Sequence, residues 1–410
     1  MPYTEVCFIF TGRLNDKTMY STNRTSISKI IPTITRIRLL AAWSVVILFS
    51  IWGNAILGDS IQASSAVFAF IILLITIIAA AFGVVREADK LAHKLGEPYG
   101  TLILTLSVVT IEVILIAAVM TGPGESPTIG KDSIFSVMMI IMNLVIGLCL
   151  LVGGLNYGEQ EYNAQGTMSY IAMIIMLGGL SMLLPNVVEG SGNGIFSAMQ
   201  AIILAVLIAA LYAFFLFFQI KTYSHLYVQP PKGKMSIPFA EKQTVVLPQK
   251  AATEQSAGDK KEIIVRSVVL VAMILPIVLL SHSMAIVVDF GISAANLPVS
   301  LGGVLIAIIV FTPESMTAIK AAYHNESQRV INLCHGAFVS TVGLTAPAVL
   351  VIGLLTNKTV QFGLTPTETV LFVITLLLSI TTFLGKRTTP MTGIMHLTLF
   401  MIFVMLVFNP

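Results

Sequence analysis

The sequence predicts an all-α polytopic membrane protein of about 11 transmembrane helices, built as two inverted five-helix repeats plus one additional N-terminal helix. Three observations predict it: an apolar composition, charge-free runs of membrane length, and a one-sided placement of Lys and Arg. Hydrophobic residues make up 56% of the 410 and charged residues only 10%, where a soluble domain carries about a quarter. Mean hydropathy is +0.91. Lipid is therefore the solvent for most of the chain, and the net charge of +3 is no signature of nucleic-acid binding.

Apolar runs of about 20 residues are the length at which a helix crosses a bilayer. Such runs fall at 38–57, 62–85, 99–121, 132–155, 167–188, 195–220, 263–287, 297–322, 329–355, 366–384 and 390–409. With the N-terminus in the cytoplasm, 21 of the 23 basic residues lie in cytoplasmic segments, and only Lys131 and Lys358 lie outside. That asymmetry is the positive-inside rule, and one missed span would scramble it. The expected location is a bacterial cytoplasmic (inner) membrane, in contact with lipid.

Residues 1–37 form a basic tail, 38–61 the extra helix, 62–220 the first repeat, 221–262 a cytoplasmic linker and 263–410 the second repeat. The tail has neither the flanks nor the cleavage site of a signal peptide, and Met19 is an alternative start. The linker carries Pro230, Pro231, Pro238 and Pro248 in a polar setting, as connecting segments do. Five spans stand on each side of it, so corresponding spans run in opposite directions. Span 3 contains Thr110-Ile111-Glu112 where span 8 contains Thr312-Pro313-Glu314, and the following spans end alike, as Leu148–Leu155 and Ala348–Leu355.

Of the 20 acidic residues, Glu112 and Glu314 alone fall well inside a span. Burying either as a charge costs about 2.5 kcal/mol or more, and no Lys or Arg lies at that depth. Such a pair suits exchange, because two nearby carboxylates repel when both are ionised, and protons or a metal cation relieve the repulsion in competition. A hard cation such as calcium takes about six to eight oxygen ligands. Beyond the carboxylates, hydroxyls of Ser107, Thr110, Thr312 and Ser315 are the neighbours in sequence. Ser136, Asn143, Ser340, Thr341 and Thr345 in the following spans could face the same site. Pro313, at mid-span, predicts a helix break that frees a carbonyl. Gly336, Gly343 and Pro347 favour close helix approach. Hydroxyls in spans also often bond their own helix, so each is a candidate against that ordinary role.

Cys7, Cys149 and Cys334 have no disulfide or CxxC spacing. The six histidines form no HExxH pair, leaving His335 as a proton-relay candidate. No cofactor is expected beyond the transported cation (Ca2+, Na+ or K+) and protons.

With a glutamate in the second span of each inverted half, residues 62–409 resemble the calcium/cation antiporter superfamily. They look most like bacterial calcium/proton antiporters that also exchange sodium or potassium. The superfamily motif has the form GN-x-x-E. The glutamates match it, while Val108-Val109 and Val310-Phe311 stand in the neighbourhood of its Gly-Asn. Gly336–Pro347 follows the second-repeat pattern GSATQISLFVVP at its Gly and Pro ends, with Ser340 in place of the usual glutamine. The resemblance implies cation/proton antiport by alternating access, with Glu112 and Glu314 as the cation and proton ligands. Alternatives are a cation channel, which lacks a visible filter loop, and a membrane-embedded enzyme, which lacks a nucleophile–base pair or metal motif. Cation identity, stoichiometry and oligomeric state stay open at this stage, as does regulation by the linker.

Overall fold

The computed structural model describes residues 31–58, 62–95, 99–122, 126–188, 194–230 and 257–409. Most of the basic tail, Met19 and the linker between 231 and 256 lie outside the described residues. Among the described residues eleven helices follow in order: α1 Thr33–Leu57, α2 Ala63–Leu95, α3 Tyr99–Met120, α4 Ile129–Tyr157, α5 Ala164–Asn186, α6 Ala198–Lys221, α7 Ala257–Ala294, α8 Leu301–Tyr323, α9 Ser327–Thr356, α10 Pro366–Phe383 and α11 Pro390–Phe408. All but α3, whose apolar part is the shorter Thr105–Met120, are long and apolar enough to cross a membrane. Each predicted span has its helix, and the protein is an all-α polytopic membrane protein.

Three boundaries differ for a physical reason. The stretch Arg86–Leu95, which lies between the predicted runs 62–85 and 99–121, continues α2 as helix. Its Ala88 and Leu91 prolong the buried stripe begun at Val84. Glu87, also buried, accepts a hydrogen bond from Thr35 Oγ1 (3.0 Å) and pairs with Arg266 (2.8 Å) and Lys90 (2.8 Å). α1 and α7 also start earlier than expected, and Thr35 of α1 and Glu262 of α7 sit on those added turns. Glu262 extends the network to Arg266 (2.8 Å) and Lys94 (3.0 Å).

Contacts between loops obey the alternation expected of antiparallel spans. On one face, the α4–α5 connection (β1, Gln160–Glu161) pairs antiparallel with the α10–α11 connection (β2, Arg387–Thr388). Arg387 reinforces the ribbon through Glu159 and Glu161, whose carboxylates raise the pKa of its guanidinium. On the other face, Ile195 bridges Gln361, and the Gln361 amide donates to the Pro127 carbonyl.

The centre of the bundle is formed by α4 and α9. Of their most apolar stretches 83% and 67% are buried, against 22% for α1 and α11. Both central helices are interrupted by a π-helical segment, Met139–Val145 in α4 and Thr341–Thr345 in α9. In α9 the following residues include Pro347 at the start of the next α-helical stretch, which has no N–H to offer the carbonyl one turn back. Wide turns of this kind cluster at functional sites.

Close approach of α8 to α4 depends on Gly303, where a Cβ would sit 2.5 Å from the backbone carbon of Asp132 and 2.6 Å from the nitrogen of Ser133. Gly303→Ala is expected to cost about 1–3 kcal/mol through overpacking and to lower the apparent Tm in detergent. Gly291→Ala, which meets nothing within 4 Å, should leave it unchanged.

Candidate functional site

Glu112 sits near the middle of α3 with 0% of its surface exposed. Its Oε2 accepts hydrogen bonds from Thr341 Oγ1 (3.0 Å) and Thr345 Oγ1 (2.9 Å), both in the π segment of α9. These threonines are four residues apart, so one face of α9 delivers both hydroxyls to one oxygen. The other oxygen, Oε1, is buried without a hydrogen-bond partner. Glu314 on α8 likewise has a buried Oε2 without one. The helices that carry them, α3 and α8, pack against each other. A buried carboxyl oxygen left unpaired costs about 1–3 kcal/mol or more. Two of them in one region make a place where a proton or a cation would be favourably held.

Glu314 also lines a cavity of about 450 Å³ between α3, α5, α6, α8 and α9. The cavity runs toward Ser224, Tyr227 and Arg329, on the face that carries the β1–β2 ribbon. Its wall is aromatic and polar. Tyr170 accepts from Gln219 Nε2, Ser169 and Tyr227 share a hydrogen bond (2.7 Å), and Asn332 Nδ2 donates to the Tyr227 carbonyl (2.7 Å). Close approach of α6 to this wall needs Gly343, where a Cβ would meet the Tyr212 ring at 2.6 Å.

The remaining sequence candidates divide sharply. Ser107, Thr110, Thr312 and Ser315 each donate to the carbonyl four residues earlier in their own helix, and Thr110 is exposed. Ser340 lines the Glu314 cavity while donating to Ala337 O (2.7 Å). Pro313 does not break its helix. Leu301–Tyr323 runs continuously through it, and departures from α geometry lie in α4 and α9, and at the end of α5 (π segment Gly179–Leu183, then a 3-10 turn), instead. A proline removes one donor, and in a long helix packed on both sides the remaining hydrogen bonds hold the axis together.

Asn143 turns away from the glutamates. Its Nδ2 donates to Thr375 Oγ1 (3.0 Å) on α10, and its Oδ1 accepts from His396 Nδ1 (3.1 Å) on α11. With Nδ1 carrying the proton, His396 Nε2 is left to accept from Thr382 Oγ1 (3.1 Å). His335 is buried with Nδ1 at 3.3 Å from the Ile331 carbonyl. The role of His396 was missed in the sequence, where a single histidine in an apolar span carries no partner signal. The exact pairing of Thr341 and Thr345 with Glu112 was equally hidden, although their spacing is a visible clue.

Buried carboxylates from two helices, one at the head of a cavity inside a bundle of membrane-length helices, define a membrane transporter rather than an enzyme. The chain belongs to the sodium/calcium exchanger protein family, whose profile matches residues 65–221 and 267–409. It is 32% identical over 376 residues to the sodium-potassium/proton antiporter ChaA of Escherichia coli (strain K12), covering 89% of this chain and 94% of that protein. It is 25% identical over 246 residues to the Ca(2+)/H(+) antiporter of Aphanothece halophytica, covering 58% of this chain and 64% of that one. Among solved structures, native YfkE superposes with a TM-score of 0.67 at 18% identity, covering 92% of this chain and 100% of that one. The H+/Ca2+ exchanger CAX gives 0.63 at 12% identity, covering 91% and 89%. These two likenesses concern the fold.

Proposed function

We propose that the protein is a secondary cation/proton antiporter of the inner membrane, working by alternating access with Glu112 and Glu314 as the shared site for cargo and proton. The observation that carries this reading is the pair of buried, incompletely partnered carboxylates on α3 and α8, one of them heading a cavity. A cation held between them would take oxygens from both. The Thr341 and Thr345 hydroxyls would then keep Glu112 Oε2 oriented. Among the described residues no group of three or more His, Cys, Asp or Glu assembles elsewhere as a competing metal cage.

The exchange follows from charge. Protonated and cation-loaded forms of the pair are both nearly neutral and can be enclosed cheaply, whereas the empty dianion cannot. The protein therefore changes sides loaded with one or the other. The cavity at Glu314 faces the side rich in Lys and Arg, which the positive-inside rule makes cytoplasmic, with the N-terminus on that side. Cargo would load there and leave outward as protons return. Calcium, sodium and potassium all fit two carboxylates, and the names of the similar antiporters favour sodium, potassium and calcium over other ions.

Purified protein in liposomes with an internal pH dye is expected to collapse an imposed proton gradient only when one of these three cations is supplied on the opposite side. Collapse without any counter-cation would replace the antiporter by a channel. No response to any of the three, with the gradient intact, would remove this cargo class.

A further inference from the structure

A second cavity, of about 390 Å³, lies at the opposite face of the bundle. Lys131, Asp132 and Ser136 of α4 line it, with Val304 of α8, Glu368 of α10 and Phe403 of α11. Lys131 and Asp132 are each 4% exposed. Lys131 Nζ lies 2.8 Å and 3.1 Å from the two Glu368 oxygens and 3.2 Å from Asp132 Oδ1. Asp132 Oδ2 accepts from Thr128 Oγ1 (2.8 Å), and Glu368 Oε2 also accepts from the Thr365 amide (2.8 Å) in the capping box of α10. An ammonium in the first turn of a helix opposes the helix dipole, and here two carboxylates in first turns surround it.

The two cavities correspond when the halves are exchanged. The Glu314 cavity is lined by the N-terminal part of α9, the N-terminal part of α5, the C-terminal part of α6, and by α3 and α8. The second cavity is lined by the N-terminal parts of α4 and α10, the C-terminal part of α11, and α8. Exchanging α9 for α4, α5 for α10, α6 for α11 and α3 for α8 turns the first list into the second except for α3, which lines only the first. The correspondence fails at one place: the first cavity reaches its glutamate, and the second stops short of Glu112.

We infer that this second cavity is the closed outer mouth of the exchange pathway, and that the Lys131–Glu368–Asp132 cluster is the clasp holding it shut. The inference rests on the alternating-access reading. The clasp joins α4 in one half to α10 in the other, so parting it is what would let the outer face reach Glu112. At the corresponding place of the inner mouth, α9 carries the neutral Asn332, held to the Tyr227 carbonyl. The outer mouth is fastened by a buried ion cluster between α4 and α10, whereas Asn332 at the inner mouth makes neutral hydrogen bonds, to the Tyr227 carbonyl and from Gln328 (2.9 Å). The nearby Arg329–Glu326 pair is exposed within one helix end. This difference biases the resting protein toward the inward-open form.

The test is accessibility to a membrane-impermeant maleimide, in a background with Cys7, Cys149 and Cys334 replaced by alanine. Ser136→Cys reports the outer cavity and Ala337→Cys, which lines the inner one, reports the other. Glu368→Gln keeps the N3 capping geometry but removes the charge, and Lys131→Met removes the ammonium. Either is expected to raise outer-side labelling of Ser136→Cys by at least about fivefold and to slow inner-side labelling of Ala337→Cys. Lys131→Arg should stay near the starting rates. Unchanged labelling in properly folded Glu368→Gln protein, judged by elution as a single species in detergent, overturns the clasp. So does labelling of both reporters from the same face. Labelling needs no ion flux, so the clasp is decided separately from antiport, which the liposome assay decides.

Discussion

Glu314→Gln is expected to reduce cation-driven proton flux by at least about a hundredfold while the protein still folds and inserts. The amide has the carboxyl's shape but can neither release a proton nor balance a cation. Its loss removes one of the two charges that exchange protons for cargo, and a buried divalent cation facing a single carboxylate is left with an uncompensated charge, which costs several kcal/mol. Folding should be spared, since a neutral amide is cheaper to bury than a carboxylate. Glu112→Gln should behave alike, because the amide oxygen can still accept from Thr341 and Thr345. The measurement is proton flux on addition of calcium, sodium or potassium to inverted vesicles, normalised to inserted protein. Full activity in either variant would dismiss the carboxylate pair as the exchange site.

The second large effect concerns α9. Thr341→Val with Thr345→Val preserves shape but strips both donors from Glu112 Oε2. Each hydrogen bond to a charged group contributes about 1.5–3 kcal/mol, so the double variant should need at least about a hundredfold more cation for half-maximal flux at fixed pH. Single variants should fall between. Half-saturation that stays put in the double variant would mean that the π segment does not serve the ionised form of Glu112. Thr110→Val offers a contrast, because that exposed hydroxyl is engaged with Leu106 O on its own helix.

Much of this molecule was legible in its sequence because lipid imposes strict rules. Apolar length marks each helix, Lys and Arg mark one face, and an intramembrane Glu is too costly to be incidental. What escaped has a common cause. Arg86–Leu95 is too polar to extend the apolar run before it, and its continuation of α2 goes with the burial of Ala88, Leu91 and Glu87, the last against Thr35 and Arg266. Lys131 looked like a stray external charge, since its partner Glu368 is far along the chain. Hydroxyl roles were unreadable for a different reason. Ser107 and Thr341 have the same chemistry, and only the local helix geometry decides whether the oxygen turns to its own backbone or across to Glu112. Pro313 drew attention as the break, yet its own helix passes through it and the wide turn lies in the next helix, at Thr341–Thr345.

The π segments of the two central helices, α4 and α9, have a consequence for the angular bookkeeping of the bundle. Each residue of an α-helix advances the side-chain direction by about 100°, so a surplus residue accommodated in a wide turn puts the stretches before and after it out of phase. In α9 the part preceding Thr341 presents Asn332 and Ser340 to the cavity, while the part following Thr345 is free to bury Val349 and Leu350. A single straight α-helix could not set both directions independently. The same offset in α4 separates Ser136, beside the clasp, from Cys149 and Leu150 in the core. Loss of one residue within Met139–Val145 or Thr341–Thr345 could thus be absorbed without shortening the membrane crossing, but it would rotate one end of the helix against the other and uncouple the mouth from the glutamate it serves.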